Sequence, residues 1–353
     1  MSLDKYNYRD LIRFSQKLLV HSGLPEDRAK LVSEMLVEAD LMGHTTHGLQ
    51  LLTPYASELV KGDMTTDGDP EIIHDSGGAI SWDGRYLPGP WLVRKAMDEA
   101  VNRIKTTPVV TVTLRNSHHI GCLAVYPEIV TRRGLIMILA CSDPRNKTVA
   151  PYGGLTGVYS PNPVAAGFPT EKDPIIFDIS MSTTTNGLVM RKEKEGKKLD
   201  QPWLLNNDGK PTDDPGSFFE KPPATILPLG SSDLGYKGFA LGILVEVLTN
   251  ALGGLGRSDM PNKWGASVFM QIIDPEAFGG LAHFKKEMQF FAQRSLASEP
   301  VNKSRPVRLP GQRALKLKRD QIENGVELHP AVWKSLKELS DKYAISLPAP
   351  LQE

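Results

Sequence analysis

Two short segments concentrate the histidines of this chain. GHTTHGLQLL (43–52) carries His44 and His47 between Gly43 and Gly48, and RNSHHIG (115–121) carries His118 and His119; together they hold half of the eight histidines. A metal centre needs more than histidines. Zinc-binding helices space two of them four apart with a glutamate between. Here only Thr45 and Thr46 separate His44 from His47, and no carboxylate cluster lies nearby. No metal is therefore expected, with a metal-dependent hydrolase or lyase on His44, His47 and His119 kept as the alternative. Nucleophilic catalysis has little to build on. Ser117 adjoins His118, but neighbours at a strand end face opposite ways, and neither Cys122 nor Cys141 has a flanking signature. Hydride transfer to or from a carbonyl carbon needs a group that exchanges a proton near neutral pH, and imidazole, with its pKa of about 6.5, suits that task. For His44 and His118, at a helix end and after a strand, the expected role is to satisfy backbone groups.

These segments must be positioned by regular elements. Apolar residues at helical spacing predict helices over the first 60 residues: Leu11, Ile12, Leu18 and Leu19, then Ala29, Val32, Leu36 and Ala39. Pro25-Glu26-Asp27 is a helix start, and the second helix should end near Gly43. EIIHDSGGAISWDGRYL (71–87) reads as short strands, PGPWLVRKAMDEAVNRIKT as a helix, and PVVTVTL (108–114) as a strand leading into the second histidine pair. LAVYPEIVTRRG reads as a helix and LIMILAC (135–141) as a buried strand. Residues 142–174, dense in proline and glycine, read as loop. PIIFDISMS (174–182) is a strand, TTTNGLVM starts a helix, and GFALGILVEVLTNALGG (238–254) is a buried helix. RKEKEGKKLDQP is a solvated charge run, and the tail forms two helices broken at Gly325. Helices at both ends and strands between them suggest a mixed α+β chain. Its expected division is a helical domain (1–70 plus 300–353) and an α/β domain (71–299).

Other classes are excluded. Lysine plus arginine equals aspartate plus glutamate at 41 each, so no charge excess points to nucleic acid. The longest apolar helical run is broken by Glu246 and falls short of the roughly 20 residues a membrane span needs. Two cysteines and an N-terminus without an apolar signal region point to a cytoplasmic protein. No glycine-rich turn joins a strand to a helix. GGLGRSD (253–259) follows a helix, so a Rossmann dinucleotide site is not supported.

Six blocks in order resemble the malate/L-lactate dehydrogenase family: THGLQLLTPY (46–55), NSHHIG (116–121), SPNPVAAGFP (160–169), FDISMS (177–182), GYKGFALGILVEVL (235–248) and VRLPGQ (307–312). The resemblance implies a fold without a Rossmann unit, in which a cofactor domain on a largely antiparallel sheet joins a helical domain from both termini. It implies NAD- or NADP-dependent interconversion of small 2-oxo and 2-hydroxy acids, or of cyclic imines in some members, by a homodimer with the site near its interface. It places the two family histidines on His47 and His119, with His119 favoured as acid/base and His47 close to substrate or nicotinamide. It puts Asp178 in the catalytic or cofactor set and Thr46 and Tyr55 against substrate. Asn162, Ser180, Ser182, Lys237, Gly238, Pro310 and Gly311 fall in blocks that line the cofactor. Two positions depart from the family pattern. Leu51 stands where many members carry an arginine that grips the substrate carboxylate, and leucine cannot imitate that bidentate pair; Arg85 or Arg191 is the expected substitute. Gln312 closes a block that usually ends in glutamate. Leu51 also leaves open a non-catalytic binding protein on the same scaffold.

Overall fold

The computed structural model describes residues 4–351. The chain opens with a short strand β1 (Lys5–Tyr6), then α1 (Tyr8–His21), α2 (Glu26–Leu41) and α3 (Leu52–Lys61). Asn7 caps α1 by accepting the Arg9 N–H, and α2 begins after Pro25 with Glu26 and Asp27 in its first turn. Gly43, at φ 83°, ends the turn after α2 where the sequence predicts the stop.

The middle of the chain builds the main sheet from β2 (Glu71–Asp75), β3 (Ala79–Asp83), β4 (Val109–Ser117), β5 (Ile136–Ser142), β6 (Val164–Phe168), β7 (Ile175–Ile179) and, after three two-residue strands β8 (Leu204–Leu205), β9 (Pro211–Thr212) and β10 (Thr225–Ile226), the long strand β11 (Ala266–Ile273). Its order is β2-β3-β4-β11-β5-β6-β7. Only β3 and β4 run parallel; every other neighbouring pair is antiparallel. This is the mixed, largely antiparallel sheet expected. The helices among these strands are α4 (Gly89–Arg103), α5 (Pro127–Thr131), α6 (Asn186–Lys194), α7 (Ser231–Glu246) and α8 (Leu281–Leu296). The chain closes with α9 (Gln312–Asn324), β12 (Val326–Glu327) and α10 (Pro330–Tyr343); β12 pairs with β1.

Both chain ends contribute to one apolar cluster, in which Leu11, Leu18 and Leu36 meet Val326, Val332 and Leu336. A second cluster runs between α4 and the sheet through Leu92, Ala96, Val110, Val112, Leu139 and Val268.

Several elements differ from the sequence expectation, among them helix α8 and the two-residue strands, which the sequence reading did not assign. Residues 164–168, read as loop, form β6: VAAGF has weak strand propensity, but its small residues let α5 pack closely, since a side chain at Gly167 would meet Pro127 and Thr131. Strand β11, at the centre of the sheet, lies in a stretch to which no element was assigned. Helix α7 is not buried. It packs through Gly235, Gly238, Gly242 and Val245, while Leu241, Ile243, Leu244 and Val247 are exposed. A helix apolar on all sides normally reads as buried; a single chain leaves these outer faces uncovered.

Candidate active site

Two backbone devices hold the histidine segments. The first segment leaves α2 through the His44 N–H, which donates to Ala39 O at 2.8 Å. It is pinned again where the Leu49 N–H donates to Asp40 Oδ2 at 2.7 Å. Any side chain at Gly48 would fall into the Asp40 carboxylate. The second segment follows β4, and α4 starts at Gly89 directly against the His118 and His119 carbonyls, where a Cβ has no room.

Asp40 is nearly inaccessible, and burial lifts its carboxyl to about 7, opposed by the Leu49 N–H. The folded chain therefore holds this proton more tightly than the unfolded chain, where the pKa is about 3.9. Its contribution to stability is full below that lower pKa and is lost as pH rises towards about 7, a difference on the order of 4 kcal/mol. Asp40→Asn keeps the acceptor for Leu49 and removes the titration. Between pH 5.5 and 8.5 the Tm of the wild type is expected to fall relative to that of Asp40→Asn; parallel curves would contradict this assignment.

The segments meet at a cavity of 510 Å³. The His47 and His119 rings lie 5.9 Å apart between centroids and nearly parallel, and Trp264 packs on His119 at 4.8 Å. His119 Nδ1 accepts the Gly121 N–H at 3.2 Å and lies 2.8 Å from the Tyr55 hydroxyl, which also reaches His119 O at 3.0 Å. A neutral His119 with Nδ1 in use as an acceptor carries its proton on Nε2. Burial, reinforced by His47 and His118, holds His119 well below the usual imidazole range. Burial lowers His47 too, but the Asp178 carboxylate beside it favours its charged form, and His44 opposes that. The Thr46 hydroxyl is 2.9 Å from His47 Nδ1.

Asp178, at the end of β7, is held by the Ala124 N–H on Oδ2 at 2.9 Å, with the Cys122 thiol 3.6 Å away. Among the described residues, the set of three metal-competent side chains that comes together is His44, Cys122 and Asp178, not the three histidines. Burial holds the Cys122 thiol far above its ordinary pKa, and Asp178 Oδ2 already accepts a backbone N–H.

The other sequence-derived residues divide. Thr46, Asn162 and Ser180 line the cavity together with His47, His119, Asp178 and Leu51. Tyr55 is fully buried behind His119 and positions its ring. Asn162 faces away from the cavity with its amide: Oδ1 accepts from Ser160, and Nδ2 donates to Glu246 Oε1 and Gly242 O. Ser182, Lys237, Gly238, Pro310 and Gly311 lie outside the wall. Ser182 donates to Thr184 O, Lys237 is exposed on α7, Gly238 seats α7 on the Leu229 backbone, and the Pro310–Gly311 turn packs on Ile176. His118 is a buried neutral side chain, lowered to about 3 mainly by desolvation; its Nε2 is 3.7 Å from Glu58. Arg85 sits on an exposed turn, whereas Arg191 Nη1 donates to Thr45 Oγ1 at 3.1 Å, between the wall residues His44 and Thr46.

Two residues that sequence reasoning missed hold the site from behind. Arg257 forks onto Glu246 at 2.7 and 2.9 Å and donates to Asn146 O and Pro144 O, anchoring the 143–146 loop that supplies Asp143 and Asn146 to the wall. Arg257 belongs to the GGLGRSD stretch set aside as a failed nucleotide motif, and no local signal marks its role.

A largely antiparallel sheet carrying two histidine segments and a strand-end aspartate at one cavity lies outside the Rossmann class. Comparison with known proteins gives the family. The model of the malate/L-lactate dehydrogenase family matches residues 6–337, and the chain belongs to that family, whose members are oxidoreductases acting on 2-hydroxy acids. It is 27% identical to an L-lactate dehydrogenase of Cupriavidus necator over 95% of this chain and 97% of that one. It is 28% identical to a malate/(S)-sulfolactate dehydrogenase of Methanothermus fervidus over 94% and 96%. The crystal structure of malate dehydrogenase from Entamoeba histolytica superposes with a TM-score of 0.91 at 26% identity, covering 99% of this chain and 100% of that one. No helix among the described residues is long and apolar enough to cross a membrane.

Proposed function

We propose that the chain is an NAD(P)-dependent oxidoreductase that interconverts a small 2-oxo acid and its 2-hydroxy acid, with cyclic imines as the related substrate class. The observation that carries this reading is the paired imidazoles of His47 and His119 at one cavity, differently tuned by Asp178 and by the Gly121 N–H. His119, neutral and protonated on Nε2, is a hydrogen-bond donor to the substrate oxygen. His47 is the proton carrier: in the oxidation direction it takes the hydroxyl proton, and Asp178 stabilises the imidazolium formed. This moves the acid/base role from His119, where the resemblance favoured it, to His47. Thr46 holds the His47 ring and Tyr55 the His119 ring. A nicotinamide, when bound, supplies or accepts the hydride. Asn146 Oδ1 and Asn186 Oδ1 are buried without partners and belong to wall residues, so they fit the N–H groups of a carboxamide. Trp264 and Cys122 help keep water from the reacting atoms.

The same reading takes the chain as a homodimer that covers the exposed apolar faces of α7. It takes residues 1–70 with 300–353 as the substrate-side domain and 71–299 as the cofactor domain. The two unpaired buried thiols suit a reducing cytoplasm. Titration with NADH and NADPH by tryptophan quenching, followed by absorbance at the nicotinamide band with 2-oxo acids, 2-hydroxy acids and cyclic imines, tests the reading. Binding with turnover of one class is expected; no binding of either nucleotide would refute it.

A further inference from the structure

Resting on that reading, we infer that the substrate is a monocarboxylic acid with an uncharged apolar side group, and that the site rejects acids bearing a second anionic group. The charge of the cavity wall carries the inference. Among the described residues that line it there is no arginine and no lysine. Its carboxylates are Asp143 and Asp178, and two of its three histidines, His47 and His119, are held towards the neutral form by burial. A second carboxylate or sulfonate would leave water for a wall to which this chain contributes two acids and no fixed cation. An unpaired buried charge is among the most unfavourable groups a site can hold.

The wall is built for the opposite kind of group. Leu51, Pro54, Leu123, Met190 and Trp264 contribute apolar surface from four separate parts of the chain. Leu51 lies in the turn before α3 and Met190 on α6, and these elements close on one another where a side chain at Gly187 would touch Thr46 and Gln50. Arg191, next to the wall residue Met190, donates from Nη1 to the hydroxyl of Thr45, which lies between the wall residues His44 and Thr46. This one cation matches one carboxylate; the interior matches a hydrocarbon group.

The test uses the full chain, its preferred nicotinamide nucleotide, and two sets of 2-oxo acids. Pyruvate, 2-oxoisocaproate and phenylpyruvate form the apolar set; oxaloacetate and sulfopyruvate form the doubly anionic set. The best apolar acid is expected to exceed both dianions in kcat/KM by about 100-fold or more, the scale on which a site rejects a group it leaves unpaired. Leu51→Arg, which adds a cation to the wall, is expected to shift the ratio of oxaloacetate to 2-oxoisocaproate towards oxaloacetate by at least about tenfold. Leu51→Lys repeats the test should the arginine variant fold poorly. A wild type that uses oxaloacetate or sulfopyruvate as well as the apolar acids overturns the inference and leaves the oxidoreductase reading standing. Nucleotide binding without turnover of any acid, or turnover confined to compounds without a carboxylate, overturns the inference together with the 2-oxo-acid reading on which it rests. Failure to bind either nucleotide overturns both.

Discussion

Turnover by His47→Ala is expected to fall by about 10²–10⁴-fold, the loss typical of a positioned general base. His119→Ala is expected to fall by about 10²–10³-fold, the loss typical of one donor aimed at developing negative charge. Nucleotide affinity should change little in either. The two are separated by pH. With His47 as proton carrier, wild-type kcat/KM for oxidation rises with pH as its imidazolium loses a proton, then levels off. Burial pulls that limb below the ordinary imidazole range while Asp178 pulls it back. Asp178→Asn removes the carboxylate and is expected to move the limb to lower pH. His119→Gln, which keeps a donor near the same place, should recover part of the lost rate without moving the limb. A limb that follows the His119 substitution and ignores Asp178 would return the proton to His119.

The second large effect is expected at a distance from the chemistry. The Arg257 and Glu246 side chains are 15% and 24% exposed, and Glu246 also accepts from Asn162 and Asn250. Arg257→Ala strands that carboxylate in a largely dry network, which costs about 3–5 kcal/mol when one partner of a buried pair is lost. It also frees the 143–146 loop, because Arg257 holds the Pro144 and Asn146 carbonyls. Burial already raises Asp143 to about 6, and Arg257 works against that rise. The variant is therefore expected to melt several degrees lower and to bind nucleotide at least about tenfold more weakly, as misplaced site groups do, with kcat less affected than KM. Glu246→Gln, which turns one of the two accepting oxygens into a donor facing Arg257 and an asparagine amide, should lower melting and nucleotide affinity in the same direction. Unchanged melting and unchanged nucleotide Kd in Arg257→Ala would show that the clamp is dispensable.

Much of the site is legible in the amino-acid sequence. The histidine segments, the strand-end Asp178 and the wall residues Thr46 and Ser180 lie in short blocks whose composition or family resemblance marks them. Lys237, Gly238, Pro310 and Gly311 lie in equally clear blocks, yet the fold uses the glycines and proline for close backbone packing and leaves Lys237 exposed. Strand β6 and helix α7 mislead for related reasons. Small residues are depleted in strands on average, and an all-apolar helix says that something covers it without saying what.

Local periodicity, caps and turn residues determined that helices α1–α4 and strands β2–β5 form in these stretches, because such signals act within one or two turns of chain. The missing glycine-rich turn determined which nucleotide fold to set aside. Tertiary structure alone decided that β11 sits between β4 and β5 and that Arg257 clamps a loop more than a hundred residues away. It also decided that Gly121 fixes the His119 tautomer while Asp178 tunes His47. Strand order, hydrogen-bond direction and burial depend on which distant segments pack together, and in one sequence that information is spread over pairs of residues no local window contains.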